Sequence, residues 1–167
     1  FVPTPPDPFE PLLAESVTPN GDLTVWTLKL RTGIVFHDGT PFDADAVLYN
    51  LQRQKGSLYN GSSLAPLQEI KKIDATTVEL VLNQPWVALP SVLTGIVGVM
   101  VSPKAAATAS LDRNPVGTGP YRFVKWDAGE RLVVEYFDGY WGAERAPLHS
   151  ITYRFIPLEA TKIGRAH

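Results

Sequence analysis

Residues 114–121 read Asn-Pro-Val-Gly-Thr-Gly-Pro-Tyr, and no other stretch of the chain restricts its fold so tightly. Pro115 and Pro120 fix φ and offer no backbone N–H, while Gly117 and Gly119 reach dihedrals closed to other residues. Strand-like sequence follows at once, over residues 121–126. Gly117, Thr118, Gly119, Pro120 and Tyr121 therefore read as a structural motif, a rigid crossing that links strands. The segment is not a nucleotide loop. A proline follows its second glycine, it contains no Gly-Lys-Ser/Thr, and a strand rather than a helix comes next. It also holds no nucleophile–base pair and no set of metal ligands.

The rest of the chain is that of an ordinary globular domain. Its 167 residues are enough for one sizeable core, with 44% apolar and 19% charged residues. The net charge of −2 is spread along the sequence, without the basic block that nucleic acid requires. The weakly charged stretch at 84–103 contains Pro85, Pro90, Gly95 and Gly98, which makes it a poor membrane helix. The absence of cysteine excludes disulfides, thiolate metal sites and cysteine nucleophiles. No cofactor is implied.

Periodicity gives a mixed set of elements. Residues 1–11 carry five prolines and read as an irregular arm. Residues 12–17 are a short apolar stretch, and Asn20-Gly21 is a hairpin signal before an alternating strand at 25–31. Asp43 is a good N-cap for a helix over 44–54, with Ala44, Val47, Leu48 and Leu51 on one stripe. A polar loop spans 56–63, and residues 64–70 fit another turn or two of helix. Residues 70–73 and 76–82 suggest a hairpin, and 86–93 a short helix. Residues 96–101 read as a buried strand, and Pro103 opens a helix over 104–109. Strands are expected at 121–126, 132–136 and 150–156. Short turns join many of these strands, so antiparallel pairing should be common. The fold class is α+β, or mixed α/β, rather than a doubly wound parallel sheet.

Four stretches match a known family in order and spacing. They are Trp26-Thr27-Leu28-Lys29-Leu30-Arg31-Thr32-Gly33 with Val35-Phe36-His37-Asp38-Gly39-Thr40-Pro41-Phe42, then Asp43-Ala44-Asp45-Ala46-Val47, then the octet from Asn114 to Tyr121, and last Tyr140-Trp141-Gly142 with the run from Ile151 to Pro157. On these the chain resembles the family 5 extracellular solute-binding proteins of ABC importers, from about Pro11 to Glu159. The resemblance implies a two-lobed periplasmic-binding-protein fold. Residues 12–160 would be an incomplete first lobe, and residues 161–167, which do not continue the pattern, would be a non-native tail. It also implies a location in the periplasm or on a lipid anchor outside the cytoplasm. The opening residues show no signal peptide, which carries no weight for a piece of a longer chain.

Function follows from the same resemblance: capture of a peptide or similar solute between two lobes, and delivery to an ABC permease. The polar loop then supplies the ligand-binding candidates, with Tyr59 as the aromatic contact and Asn60, Ser62 and Ser63 beside it. Gly95 is a second candidate edge, where a ligand can approach the backbone. A single lobe holds half a cleft, so weak solute binding is expected. Its uncovered surface predicts self-association, as a homodimer or by strand exchange. A rival reading is a stand-alone interaction module that reuses the lobe. A more distant one is a hydrolase using His37, but adjacent residues on a strand face opposite sides and no nucleophile elbow is present; His37 reads instead as a satisfied residue at a strand end and Asp38 as part of the turn. The histidines, His37, His149 and His167, lie far apart, so no metal site is predicted. Tyr140, Trp141 and Gly142 read as a plug packed onto the sheet.

Overall fold

The computed structural model describes residues 10–108, 111–142 and 148–156. The expected arm before residue 10, the expected tail and the end of the helix expected at 104–109 lie outside them. The architecture is α+β, with two antiparallel sheets and a few short helices.

The first sheet runs in the order β1-β2-β4-β3, from Ala14–Pro19, Val25–Leu30, Thr77–Leu82 and Leu67–Asp74. Alternation decides which face is buried. Trp26, Leu28 and Leu30 on β2 point inward, beside Val78, Leu80 and Leu82 on β4. Trp26 pairs with Leu80 and Leu28 with Val78, so the two apolar rows form one surface. Burying each leucine or valine contributes about 1.5–3 kcal/mol.

Helix α1, Ala44–Lys55, lies against this surface and buries Ala44, Val47 and Leu51 of the expected stripe; Leu48 is only partly covered. Asp43 caps it as expected, accepting a hydrogen bond from the Ala46 N–H at 3.0 Å. Asp43→Ala should therefore lower stability by about 1 kcal/mol, seen as a lower urea midpoint with an unchanged slope.

The β1–β2 hairpin forms, but not as a two-residue Asn-Gly turn. Asn20 Oδ1 accepts from the N–H groups of Thr24 and Val25 at 2.9 and 3.0 Å, which closes a longer loop. The positive φ of 61° falls on Leu23, whose side chain packs against the core.

Two expected elements differ. Residues 64–70 are not helical: a single 3-10 turn, Gly61–Leu64, leads directly into β3. Ala65 still has helical dihedrals, φ −52° and ψ −38°, but buried Leu67 pairs with Leu82 across the sheet, and that pairing ends the turn. Residues 96–101 are not a strand. A 3-10 turn, Ile96–Gly98, is followed by extended chain with no strand partner. Gly98 is required there, because a Cβ would lie 1.8 Å from the Leu93 carbonyl oxygen. The short helices α2, Leu89–Leu93, and α3, Pro103–Thr108, flank this segment.

The second sheet, β5-β6-β7, comprises Tyr121–Asp127, Arg131–Tyr136 and Ser150–Arg154. A bulge at Val124 separates the pairs Phe123↔Val134 and Lys125↔Val133. The register gathers Phe123, Trp126, Leu132, Val134, Ile151 and Tyr153 on one face. That face stays open: Trp126 and Tyr153 are exposed, and none of the buried hydrophobic residues comes from this sheet. The core of the described residues thus lies with the first sheet, the helices and the loop from β2 to α1 that carries Ile34, Phe36 and Phe42.

Candidate functional site

The polar loop after α1 is held by the helix itself. Buried Gln54, on the last turn, accepts from Asn60 Nδ2 at 2.8 Å and donates through Nε2 to the Ile96 carbonyl at 3.2 Å. One side chain therefore ties together the two edges that the sequence separates by more than thirty residues. Ser57 Oγ accepts from the N–H groups of Tyr59 and Asn60, which turns the chain outward. Tyr59 stands 91% exposed at the tip, and Ser62 and Ser63 are exposed on the following 3-10 turn.

Gly95 lies on the adjoining edge and is also exposed. Its N–H donates to the Val92 carbonyl and its own carbonyl accepts from Gly98 N–H, both at 3.1 Å. Gly95 thus offers open space rather than a free backbone donor. The assembled edge has one flat aromatic side chain, neutral hydrogen-bonding groups and no charged side chain between residues 56 and 63. It can stack on and hydrogen-bond a solute, but it holds no group that could break a bond.

His37 and Asp38 lie in a turn rather than on a strand, and they serve two separate purposes. Asp38 binds its surroundings through both carboxylate oxygens. Ser102 Oγ donates to Oδ2 at 2.5 Å, and Thr40 Oγ1 donates to Oδ1 at 2.6 Å. Ser102 is fully buried, and its Oγ also accepts from the Ala105 N–H at the start of α3. Burial pushes the Asp38 carboxyl up, but the Ser102 and Thr40 hydrogen bonds outweigh it and hold it below the usual carboxylate range.

His37 is spent on the octet. Its backbone N–H donates to the Gly117 carbonyl at 2.9 Å, and its Nε2 lies 2.9 Å from the Gly119 carbonyl oxygen. Its Nδ1 faces the Gly117 N–H at 3.4 Å. The Phe137 ring packs edge-on against the imidazole, with centroids 5.1 Å apart. Both ring nitrogens therefore meet backbone, and neither has a serine or threonine hydroxyl to activate. Burial pushes the imidazole pKa below its ordinary value, against the opposing pull of the Gly119 carbonyl.

Further bonds complete the crossing. Ser102 N–H donates to Val116 O at 3.0 Å, Trp141 Nε1 to Thr118 O at 3.1 Å and Phe137 N–H to Pro120 O at 2.9 Å. Trp141 packs against the core from its loop, with the Arg31 guanidinium 6.0 Å from its ring centre. Beside the crossing, an open groove of about 360 Å³ is lined by Asp38, Asn114, Val116, Arg122, Val124 and Glu135. Arg122 and Glu135, opposite each other on β5 and β6, pair at 2.6 Å on its wall.

Among the described residues no three His, Cys, Asp or Glu side chains cluster to hold a metal ion. No described helix is long and apolar enough to cross a membrane. Sequence reasoning missed Asn50, Gln54 and Ser102. The first two carry a legible signal, because polar residues at positions 50 and 54 stand one turn apart on the apolar side of α1. Ser102 has a weaker one, its place before Pro103 at the start of a helix.

Residues 8–166 match the family model described as bacterial extracellular solute-binding proteins, family 5 Middle. The glutathione-binding protein GsiB of Pectobacterium atrosepticum is 37% identical over 148 residues, covering 86% of this chain and 29% of the relative. The periplasmic binding protein DppA of Helicobacter pylori, solved with the peptide STSA, superposes with a TM-score of 0.80 at 27% identity, covering 92% of this chain and 35% of that one. NikZ of Campylobacter jejuni, solved with Ni(L-His), superposes at 0.81 and 23% identity over 93% of this chain and 32% of its own; at that identity it speaks for the fold alone. The chain spans about a third of the length of these relatives.

Proposed function

Because the chain belongs to the family 5 bacterial extracellular solute-binding proteins, we propose that it supplies one wall of a solute cleft whose other wall lies in a second lobe of a longer receptor. The solute is a short peptide or a peptide-like molecule such as glutathione, passed on to an ABC permease. Capture proceeds by closure of the lobes about a hinge, without chemistry on the solute. The observation that carries this reading is the edge assembled by Gln54. It ties Asn60, in the loop that carries the exposed Tyr59 and the polar Ser62 and Ser63, to the Ile96 carbonyl, next in sequence to Gly95. A relative named for glutathione and a structural neighbour solved with a peptide support the class of solute. Tyr59 would stack on an amide or an apolar side chain, and the neighbouring side chains would bind peptide carbonyls and N–H groups.

Nuclear magnetic resonance titration of the chain with glutathione and with unmodified tripeptides tests the proposal. Half a cleft should bind with a Kd weaker than about 100 μM. The shifted amides should fall within residues 57–63 and 94–96. Tyr59→Ala should weaken binding about fivefold to tenfold, the worth of one aromatic contact. Sub-micromolar binding by the chain alone would contradict the half-cleft reading. Shifts confined to the groove beside His37 would move the site elsewhere.

A further inference from the structure

The octet is read above as a crossing between strands, and the structure shows how it is held. Residues 116–120 run between the first sheet with its helices and the second sheet, and receive hydrogen bonds from both sides. On the side of the core the principal clamp is His37, which contacts the octet through three atoms, its backbone nitrogen and both ring nitrogens.

The ring contacts admit one protonation state. The Gly119 carbonyl oxygen can only accept, so Nε2 must carry a proton. The Gly117 N–H can only donate, so Nδ1 must be bare. Only the neutral Nε2–H tautomer satisfies both. A second proton on Nδ1 would place an N–H against an N–H at 3.4 Å and remove the acceptor that Gly117 uses.

We propose that His37 is a pH-sensitive clasp: its neutral imidazole holds the crossing that joins the two sheets, and its protonation in mildly acidic solution breaks the bond from the Gly117 N–H to Nδ1 while the Nε2–H bond to the Gly119 carbonyl remains.

The surrounding charges act in both directions. Arg122 on β5 opposes a charged imidazole, whereas Asp38 on the same turn favours one. Glu135 on β6 is paired with Arg122 at 2.6 Å, which tempers the arginine's field. Lys104 on α3 acts on Asp38 and helps keep its carboxylate ionised. Phe137 covers the ring and adds no charge. Burial outweighs these charges and holds the folded-state imidazole below its ordinary value. The direction of the pH effect follows. With the folded value below that of the unfolded chain, about 6.5, the neutral clasp contributes its full stability above that pH. The contribution is lost as pH falls from there through the lower folded value. Asp38, with its carboxyl held down, stays ionised through this window.

The proposal concerns the crossing and does not depend on which solute, if any, the chain binds. Long-range nitrogen–proton correlation on the labelled chain reads the tautomer directly. At pH 7.5 the expected signal is Nε2–H with a bare Nδ1. Between pH 7.5 and 5 the exchange protection of the Gly117 amide, corrected for intrinsic rates, should fall, in the direction that a lowered folded-state value requires. The fall should track the His37 titration. In His37→Gln, whose amide can donate and accept but does not titrate, Gly117 protection should be independent of pH over the same range. An Nδ1–H tautomer would overturn the proposal even if the variant failed to fold. So would Gly117 protection that does not change with pH in the parent, or that changes equally in His37→Gln.

Discussion

Asn50→Leu should destabilise the protein by about 2–4 kcal/mol, although leucine suits the helix and the core better by every sequence rule. Asn50 is fully buried on α1. Its Nδ2 donates to the Ala46 and Val101 carbonyls at 2.9 and 2.8 Å, and its Oδ1 accepts from the Val101 N–H at 3.0 Å. It therefore satisfies both backbone groups of Val101, on a segment with no strand neighbour. Leucine would leave that donor and acceptor facing an apolar wall, at a cost of about 1–3 kcal/mol for each group that water does not reach. Val101 is only partly buried, which keeps the expected total below the upper sum. Urea unfolding followed by circular dichroism measures it. A leucine variant as stable as its parent would show that the segment at 99–102 repacks and finds other partners.

Asn50 also shows why residues 96–101 were misread. Ile96, Val97, Val99, Met100 and Val101 look like a buried strand. A strand, however, needs a neighbouring strand for its backbone, and here an asparagine side chain takes that place. Composition shows that a segment is apolar but does not show what satisfies its amides. The same limit applies to residues 64–70, where pairing of β3 with β4 overrides local preference. Where period and packing agree the sequence was readable. The alternation of β2 and β4 and the stripe on α1 appear in the structure as expected, because each buries a single face against the same core.

The candidate edge was legible in part. Placing Tyr59, Asn60, Ser62 and Ser63 in one exposed loop required only recognition of the helix end. The link from Asn60 to the chain beside Gly95 runs through Gln54, a contact between residues 54 and 96 that no local pattern announces. Asp38 was legible as a turn residue beside Gly39, and His37, expected at a strand end with its polar atoms satisfied, lies in the same turn. There the two side chains separate: the imidazole goes to the octet and the carboxylate to Ser102 and Thr40. Adjacent catalytic-looking residues can divide in this way whenever the backbone bends between them, because a turn breaks the two-residue period of a strand.

Phe36→Ala should cost still more, about 3–5 kcal/mol, as expected for removal of a fully buried aromatic ring from a packed core. Phe36 has no solvent exposure and meets the Phe42 ring edge-on, with centroids 6.0 Å apart. Its backbone closes the turn that carries His37: the Phe36 N–H donates to Thr40 O at 2.8 Å and Gly39 N–H donates to Phe36 O at 2.9 Å. The cavity would therefore do more than remove apolar contacts. It would loosen the turn that aims the imidazole at residues 117–119, and Gly117 should lose exchange protection even at pH 7.5, where His37 is neutral. Phe155→Ala is the comparison, since Phe155 is 47% exposed beyond β7 and its loss should stay within about 0.5 kcal/mol. Equal costs for the two changes would mean that the second sheet contributes to the core as much as the first, against the burial pattern. A large cost at Phe36 without loss of Gly117 protection would mean that the clasp is positioned by the octet and not by the core beneath it.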